Sequence, residues 1–395
     1  RTVVLSGQSG IGDDEGLAIT GTIVGGGTAE FVTAIPGNAA QDLVEFYDAD
    51  FVTIERLTLT GGRHAMYVHD NSLSMVATNI VAANNAGSGL YLTGGSNADL
   101  LDNFTTFGHA GSGHYGLYIQ GGVGGTVSNV TAHDNYDGVY IIDPSDITLN
   151  DIVSYNNTRY GIYTKAAQIG GTNLTAHHSN VGIYLQDTAG AYGLVSNPIS
   201  HDNSAGIQLF GYVNIQGGAA YANTGYGVDL DYATFQTVDG TEIYENGNGV
   251  YLRYGEVDNA RIYGNAGRGI FADYNTANVR NSVIYGNQLG ALFTASYGSI
   301  AVTNNLVYGN ETGGLRFTGA QSSGAGAELV NNSIYELTGD AIFISANSKN
   351  FHLRNNILAS SGYGVYVATD SQTGFTSNYN LFYPLSSGNV GYWQG

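Results

Sequence analysis

The chain has 395 residues, of which 59 are glycine, 4 are proline and none is cysteine. This balance favours tight turns between short strands and excludes a proline-rich linker or a collagen helix. The formal net charge is −20, from 12 basic and 32 acidic side chains, and such a field repels nucleic acid and anionic membranes. No apolar run of about 18 residues occurs, so we expect neither nucleic-acid binding nor membrane insertion.

The first 64 residues predict short strands that follow no regular spacing. Apolar or alternating stretches between glycine and aspartate turns run from Thr2 to Leu5, Leu17 to Ile23, Glu30 to Ile35, Leu43 to Tyr47 and Val52 to Leu59. The chain opens directly into such a stretch, without a signal peptide, so we expect a mature or excised fragment.

From Ala65 to Gly364, a glycine followed by an apolar, aromatic and apolar triplet recurs about every 23 residues. A repeat of this length is typical of a solenoid, in which each coil packs on its neighbours. We therefore predict an all-β protein with a single domain over residues 1–395. It would comprise irregular coils at 1–64, regular repeats at 65–370 and a C-terminal segment at 371–395. In total we expect about 16 coils and three short parallel sheets.

Each repeat contains a glycine-led first strand, a second strand and a third, shorter one, suggested by Ile147, Val257, Val279 and Leu329. Because successive side chains of a strand point to opposite sides, alternate residues of each strand face inward and outward. In the first strand Val139, Ile162, Ile183, Ile207, Val228, Val250 and Ile270 should point inward, as should Ile141, Leu185, Leu209, Leu230 and Leu252. The outward column then reads Tyr67, Tyr91, Tyr118, Tyr140, Tyr163, Tyr184, Gln208, Asp229, Tyr251, Phe271, Leu292, Arg316, Phe343 and Tyr366.

The second strand should point Ala132, Ser154, Ala176, Ser200, Ala220, Ile243, Ile262, Ile284, Val307 and Ile334 inward. Its outward column is His133, Tyr155, His177, His201, Tyr221, Tyr244, Tyr263, Tyr285, Tyr308 and Tyr335. Two residues after most of these rings comes Asn135, Asn157, Asn203, Asn223, Asn246, Asn265, Asn287 or Asn310, with Asn180 one place later. We predict an asparagine ladder, each amide bonding to the next at a turn that tolerates left-handed backbone angles.

The recurring Tyr-Gly-Asn, His-Asp-Asn and Tyr-Ala-Asn strings, each followed by Gly-Val-Tyr or Gly-Ile-Tyr, resemble the right-handed parallel β-helix repeats of polysaccharide lyases, alginate C5-epimerases and related surface proteins. The resemblance covers residues 65–370, and it implies the fold more specifically than the reaction. The ending, from Asn378 to Tyr383 and from Gly391 to Trp393, is similar to segments that follow β-helix repeats in very large bacterial surface proteins.

The resemblance to alginate epimerases extends to part of their motif. Those enzymes carry an Asp-Pro-His-Glu segment and a further aspartate on the next coil. Here the nearest string, from Asp143 to Asp146, lacks the histidine, whereas Gly269 to Tyr274 is similar to the coil with the further aspartate. The sequence leaves open whether the chain is an enzyme; if it is, the resemblance implies a polysaccharide lyase or an epimerase.

Candidate catalytic residues lie where the outward column of tyrosines is interrupted. Asp229 and Asp231 share one strand face about 7 Å apart, Arg253 follows on the next coil and Asp273 on the third. Paired carboxylates serve acid–base chemistry or Ca²⁺ binding, and an arginine can position a carboxylate. The alternative interpretation is an exposed charge ladder of little energetic consequence.

Three other groups of rings and histidines have competing interpretations. His64, His69 and Asp70 would need a third fixed group to bind a metal or act as a base. His133, His177 and His201 occupy a column of rings and are interpreted as structural. Stacked rings bind sugar faces or simply stabilise the coils; as sugar-binding candidates we select Tyr140, Tyr163, Tyr184, Tyr251, Phe271 and Arg316.

The sequence therefore supports two functions of different classes. The first is an extracellular or cell-surface β-helix that binds a polysaccharide along its rings. The sequence leaves open whether it also acts on that chain as a lyase, an epimerase or a glycoside hydrolase. The second is a non-catalytic structural or adhesive segment of a larger surface protein. The net charge opposes an acidic sugar chain unless cations intervene, so such a ligand would call for Ca²⁺ between carboxylates. No metal ligand set is identified.

Overall fold

The computed structural model describes residues 3–6, 17–20, 29–32, 40, 42–122, 124–190, 192–231, 234–323, 325–386 and 388–393. These residues form short strands and a 3₁₀ helix at Thr369–Ser371. Two compact units are distinguished, Arg1–Ser204 and Ala205–Gly395. In each, strands from successive coils stack in parallel ladders, which confirms the predicted all-β, right-handed parallel β-helix. The single domain over 1–395 and its three regions stay predictions.

In the first unit the first ladder contains the strands Val3–Ser6, Val44–Tyr47, Met66–His69, Leu90–Leu92, Tyr115–Gln120, Asp137–Ile142, Tyr160–Ala166 and Val181–Asp187. The other strands are Leu17–Thr20, Ala29–Val32, Val52–Thr60, Met75–Ala83, Ala98–Phe107, Gly125–His133, Ile147–Tyr155, Ile169–His177, Gly193–Ser196 and Ile199–His201. Predicted strand ends at Thr2, Ile23 and Ile35 lie outside the described residues.

In the second unit the first ladder contains Ala205–Gly211, Tyr226–Leu230, Asn248–Leu252, Arg268–Ala272, Leu289–Phe293, Gly313–Thr318, Asp340–Ser345, Tyr363–Val367 and Asn389–Trp393. The second ladder contains Ala219–Tyr221, Glu242–Tyr244, Arg261–Tyr263, Val283–Tyr285, Leu306–Tyr308, Ser333–Glu336, Ile357–Ser360 and Leu381–Pro384. The third contains Val213–Gln216, Gln236–Asp239, Gly255–Asp258, Ala277–Arg280, Ser299–Thr303, Gly326–Val330, Phe351–Arg354 and Thr376–Asn378.

A residue with left-handed backbone angles lies where the third strand of a coil passes into the second. In the first unit the two strands run together as strands of about nine residues that bend at this residue, for example Asn103 and Asn129, each with φ = 51°. The bend residue is left out of the pairing between neighbouring strands: Ser128 pairs with Asn150 and Val130 with Ile152. Asparagine tolerates these angles better than most residues, which explains its presence at the bend.

The core lies inside the coils and consists of the predicted inward side chains. All twelve inward residues named for the first strand are fully buried, as are Val257, Val279 and Leu329 of the third. Burial of one such side chain stabilises the fold by about 1.5–3 kcal/mol. The outward column of the second ladder stacks evenly, with ring centroids of Tyr221 and Tyr244, and of Tyr244 and Tyr263, 4.9 Å apart.

The predicted asparagine ladder is present, with one correction. Asn246 Nδ2 donates to Asn265 Oδ1 at 3.0 Å, and Asn265 Nδ2 donates to Asn287 Oδ1 at 2.9 Å. The assignment of Asn180 was wrong: Asn180 is exposed and Ser179 takes the buried position, because the backbone N–H of Ser179 donates to Asn203 Oδ1 at 2.9 Å. The left-handed angle falls on the residue before the ladder position, for example Glu245 with φ = 55°.

A second buried asparagine ladder, absent from the predictions, joins the third and second strands at the C-terminal end of the second unit. Its rungs are Asn305, Asn332, Asn356 and Asn380, with Nδ2 to Oδ1 distances of 3.0, 3.0 and 2.9 Å. In each coil it follows the exposed left-handed residue, such as Asn304 or Asn331. Within the described residues, no helix is long and apolar enough to cross a membrane.

Candidate functional site

The outward side chains of the first ladder in the second unit change character along the stack. The register runs through Gln208, Asp229, Tyr251, Phe271, Leu292, Arg316, Phe343 and Tyr366. Asp229 and Tyr251 are therefore neighbours on adjacent strands. Charged side chains interrupt the predicted column of rings at Asp229 and again at Arg316.

Asp229 is half-buried, and its environment disfavours the ionised carboxylate. Burial raises the pKa of Asp229 to about 6; Arg253 opposes this shift, whereas Asp231 and Asp273 add to it. Asp231 follows the same strand, and its backbone N–H donates to the carbonyl of Leu209 at 3.1 Å. A carboxyl group that titrates near neutral pH can give or take a proton in a reaction.

The hydroxyl of Tyr251 is held between a carboxylate and a guanidinium. It donates to Asp273 Oδ2 at 2.7 Å, and Arg253 Cζ lies 4.6 Å from the centroid of the Tyr251 ring. Burial raises the pKa of Tyr251, the bond to Asp273 raises it further, and a hydrogen bond with Arg253 lowers it. The phenol is therefore neutral at physiological pH and serves as a hydrogen-bond donor.

One of the two carboxylate oxygens of Asp273 accepts no hydrogen bond from the described residues. While Oδ2 accepts from Tyr251, the buried Oδ1 has no hydrogen-bond partner among the described residues. A buried carboxylate oxygen without a donor is costly, since it has lost water and gained nothing in return. This oxygen is therefore ready to accept a hydrogen bond from a bound hydroxyl group.

Burial lowers the pKa of Arg253, but the groups around it raise the pKa by more. The hydrogen bond with Tyr251 and the carboxylates of Asp229 and Asp273 raise the pKa of Arg253. Arg253 is therefore a permanent cation beside two carboxyl groups. It can stabilise negative charge that develops on a ligand.

These groups border a cavity of 290 Å³ lined by Tyr251, Arg253, Asp273 and Tyr274. Tyr274 has φ = 76°, an unusual backbone conformation for a bulky side chain, and it is exposed. Its ring and that of Tyr297, which is also exposed, lie 6.1 Å apart. The cavity is therefore bordered by the exposed ring of Tyr274, with the ring of Tyr297 next to it.

The predicted binding residues of the second unit lie on this same ladder. The ring of Tyr251 stacks between Tyr226 at 5.1 Å and Phe271 at 5.3 Å. Arg316 lies two strands beyond Phe271, with its Cζ 5.3 Å from the centroid of Phe343. The sequence thus places the residues of one face correctly; their roles in binding or catalysis stay predictions.

The other predicted binding residues belong to the first unit. Tyr163 stacks on Tyr140 at 4.4 Å and on Tyr184 at 4.5 Å. Burial raises the pKa of Tyr140 and of Tyr163, so both phenols are neutral. The structure brings these three rings together as a stack.

His64 and His69 do not converge on one metal position. His69 has both ring nitrogens occupied, by Asp70 Oδ2 at 2.8 Å and by Glu45 Oε1 at 3.0 Å. His64 Nδ1 instead accepts from the backbone N–H of Ser88 at 2.9 Å, and burial lowers the pKa of His64 to about 4. Across the described part of the chain, no three histidine, aspartate or glutamate residues are arranged to hold a metal ion.

His133, His177 and His201 occupy the predicted column of rings. His133 stacks on Tyr155 at 4.7 Å, Tyr155 on His177 at 5.1 Å, and His177 on His201 at 4.7 Å. Their parallel stacking supports the structural interpretation.

Two residues of the site were not predicted as site residues: Tyr226 and Tyr274. Tyr226 immediately precedes a strand glycine, as do Tyr115 and Tyr160, and this repeated Tyr-Gly pair was a usable signal. Tyr274 is placed by its backbone conformation, which no local pattern indicates. The Asp143 string lies beyond the strand Asp137–Ile142, as expected, and Asp143 forms an ion pair with Lys165 at 3.6 Å.

Solved structures similar to this chain include the A-modules of two mannuronan C-5 epimerases from Azotobacter vinelandii. AlgE6 is 12% identical with a TM-score of 0.46, over 89% of this chain and 92% of that chain; AlgE4 is 12% identical with a TM-score of 0.34, over 100% and 89%. The catalytic domain of a GH87 alpha-1,3-glucanase in complex with nigerose is 11% identical with a TM-score of 0.25, over 94% and 64%.

No curated protein matches the sequence. The model of the family described as "Right handed beta helix region" matches residues 42–190, 181–334 and 237–380. These matches together span most of the chain and both of its units. The chain therefore belongs to the family of right-handed β-helix regions.

Proposed function

We propose that the second unit binds a polysaccharide across the cavity at Tyr251 and transfers protons to or from the bound sugar. The observation that carries this proposal is the buried, unpartnered Oδ1 of Asp273 at the wall of a 290 Å³ cavity. A sugar hydroxyl is a donor of the right kind for this oxygen. The rings of Tyr274 and Tyr297 would lie against sugar faces, which bind to aromatic rings by stacking.

Each polar residue has a distinct role in this proposal. Asp229, whose pKa is raised to about 6 by burial, is the proton donor or acceptor. Asp273 holds Tyr251 in place and accepts a hydroxyl of the ligand, while Arg253 stabilises negative charge on the reacting sugar. Asp231 keeps the pKa of Asp229 high through its own charge. Such proton transfer is common to lyases, epimerases and glycoside hydrolases.

The site of action would be outside the cell or at its surface, where polysaccharide chains are met. The competing function is a non-catalytic structural or adhesive segment of a larger surface protein. One observation favours it: the evenly stacked rings and asparagine ladders stabilise the coils without any ligand.

The test compares the parent with Asp229→Asn and with Glu328→Gln, an exposed carboxylate on the third ladder that loses the same charge. Acidic and neutral polysaccharides are screened for binding and for unsaturated, epimerised or reducing-end products. We expect Asp229→Asn to bind the recognised glycan and to lose at least about 100-fold in turnover, with Glu328→Gln like the parent. A parent that binds and changes no glycan would instead support the structural segment.

A further inference from the structure

A second cavity lies on the same face of the second unit and has a different chemistry. Its volume is 340 Å³, and it is lined by Arg268, Gln288, Leu289, Leu292, Thr312 and Arg316. Arg268 pairs in register with Leu289, and Leu292 pairs with Arg316. The two arginines therefore come from the coils on either side of the coil with the leucines. The backbones of the two arginine strands are roughly 10 Å apart.

Neither arginine is neutralised by a carboxylate. In the described residues Arg56, Arg63, Arg159, Arg261 and Arg280 each lie within 4 Å of a carboxylate oxygen as an ion pair, whereas Arg268 and Arg316 form no ion pair. Arg268 Cζ lies 4.9 Å from the centroid of Phe271. Arg316 Nε is buried and has no hydrogen-bond partner among the described residues.

Asp340 is the carboxylate beside Arg316, and it is already engaged. Its Oδ1 accepts from the backbone N–H of Tyr363 at 2.7 Å. Burial raises the pKa of Asp340, while the Tyr363 N–H and Arg316 lower it. Asp340 thus lies near Arg316 without forming an ion pair with it. The N–H groups of the Arg316 guanidinium therefore stay available to a ligand.

Two uncompensated guanidinium groups beside one cavity are notable in a chain with a net charge of −20. They make this part of the surface locally attractive to anions despite the repulsive overall field. A guanidinium presents paired N–H donors that match the two oxygens of a carboxylate or sulfate group. The leucines form an apolar floor, and Gln288 adds an exposed amide at the rim.

We propose that Arg268 and Arg316 form a subsite for an anionic substituent of the sugar chain, a carboxylate or a sulfate ester. This assignment rests on the proposed function, since the same chain would extend from the Tyr251 cavity. It also removes the need for a metal bridge. The protein's own arginines, rather than Ca²⁺ between carboxylates, overcome the repulsion between an acidic chain and an acidic protein.

The experiment measures binding of a polyuronate, a sulfated glycan and a neutral glucan by calorimetry, at low and high salt, with and without chelator. The variants are Arg268→Gln and Arg316→Gln. The matched control is Arg354→Gln, an exposed arginine of the third ladder. Circular dichroism melting verifies that each variant is folded.

We expect the parent to prefer one anionic glycan, with an affinity that falls with salt and does not change with chelator. Each cavity variant should weaken that binding about tenfold and leave neutral glucan unaffected, and Arg354→Gln should match the parent. The polyuronate and sulfated arms show which anion is bound. Equal binding of the anionic glycan by the parent and both cavity variants would overturn the subsite, as would a preference for neutral glucan.

Failure of the subsite and failure of the proposed function are distinguishable. If Asp229→Asn abolishes turnover while the arginine variants bind normally, the function stands and the subsite is wrong. Free galacturonate and inorganic sulfate are tested separately as small probes. If they bind in an Arg316-dependent way although no glycan is turned over, the subsite stands and the catalytic proposal is wrong. If no probe shows binding that depends on Arg316, the subsite is rejected.

Discussion

Asn310 ends the main asparagine ladder on the carboxylate of Glu336. Its Nδ2 donates to Glu336 Oε1 at 2.8 Å, and its backbone N–H donates to Oε2 at 2.8 Å. Glu336 is fully buried, and on the next coil it pairs with Ser360, whose buried hydroxyl has no hydrogen-bond partner among the described residues. The ladder therefore ends on a titratable group in the interior of the second unit.

We predict that this carboxyl group makes stability depend on pH. Burial raises the pKa of Glu336 from 4.5 to about 7, although both bonds from Asn310 lower it. Because the folded state holds the proton more tightly, the contribution is fully present below pH 4.5 and is lost as pH rises to about 7. The loss in the free energy of unfolding is about 3 kcal/mol at most. Urea denaturation from pH 4 to 8 measures it.

Glu336→Gln should flatten this part of the pH profile, since glutamine does not titrate. The control Glu328→Gln, at an exposed carboxylate, should keep the slope of the parent. If Glu336→Gln and the parent lose stability in parallel between pH 4.5 and 7, another group is responsible.

A second prediction concerns the middle of the asparagine ladder. Asn265→Ala removes the acceptor of Asn246 and the donor to Asn287, which leaves buried amide groups unpaired. The expected loss in the free energy of unfolding is about 1–3 kcal/mol, and Asn310→Ala should behave alike. Asn180→Ala is the control, because Asn180 is exposed. Chemical denaturation that shows all three variants equal to the parent would mean that the ladder bonds do not stabilise the coils.

A third prediction tests the interior of the second unit. Leu230 is fully buried, so Leu230→Asp places a charge where no partner or water can reach it and should cost several kcal/mol, about 3–5. Leu337→Asp, at an exposed leucine, should cost less than about 0.5 kcal/mol. Thermal and urea melts of the two variants decide the matter; similar melts would contradict the assignment of the inward face.

The fourth prediction concerns the titration of Asp229. Arg253 favours its ionised form, whereas Asp231 and Asp273 disfavour it. Arg253→Ala should therefore raise the pKa of Asp229 above about 6, and Asp231→Asn should lower it. NMR titration of the carboxyl carbon gives the pKa directly. Arg354→Ala is the control. A lower pKa of Asp229 in Arg253→Ala together with a higher one in Asp231→Asn would refute the electrostatic account.

Local patterns determined most of the fold. The inward positions of Val250 and Leu252, with Tyr251 outward between them, follow from period 2 alone, because a strand alternates its faces wherever it lies. The asparagine ladder could be predicted for the same reason, since each rung repeats with the coil. Asn180 was misassigned because a turn can use Ser179 in place of asparagine, and the second ladder from Asn305 was missed because its rungs are fewer.

The tertiary structure decided the chemistry of the site. The sequence placed Asp229, Arg253 and Asp273 on successive coils, but their burial, the Tyr251 to Asp273 bond and the raised pKa of Asp229 depend on how side chains from different coils meet. The uncompensated charges of Arg268 and Arg316 likewise depend on which carboxylates lie within reach. Strand periodicity is a property of consecutive residues, whereas burial and charge pairing are properties of residues about 20 positions apart that only coiling brings together.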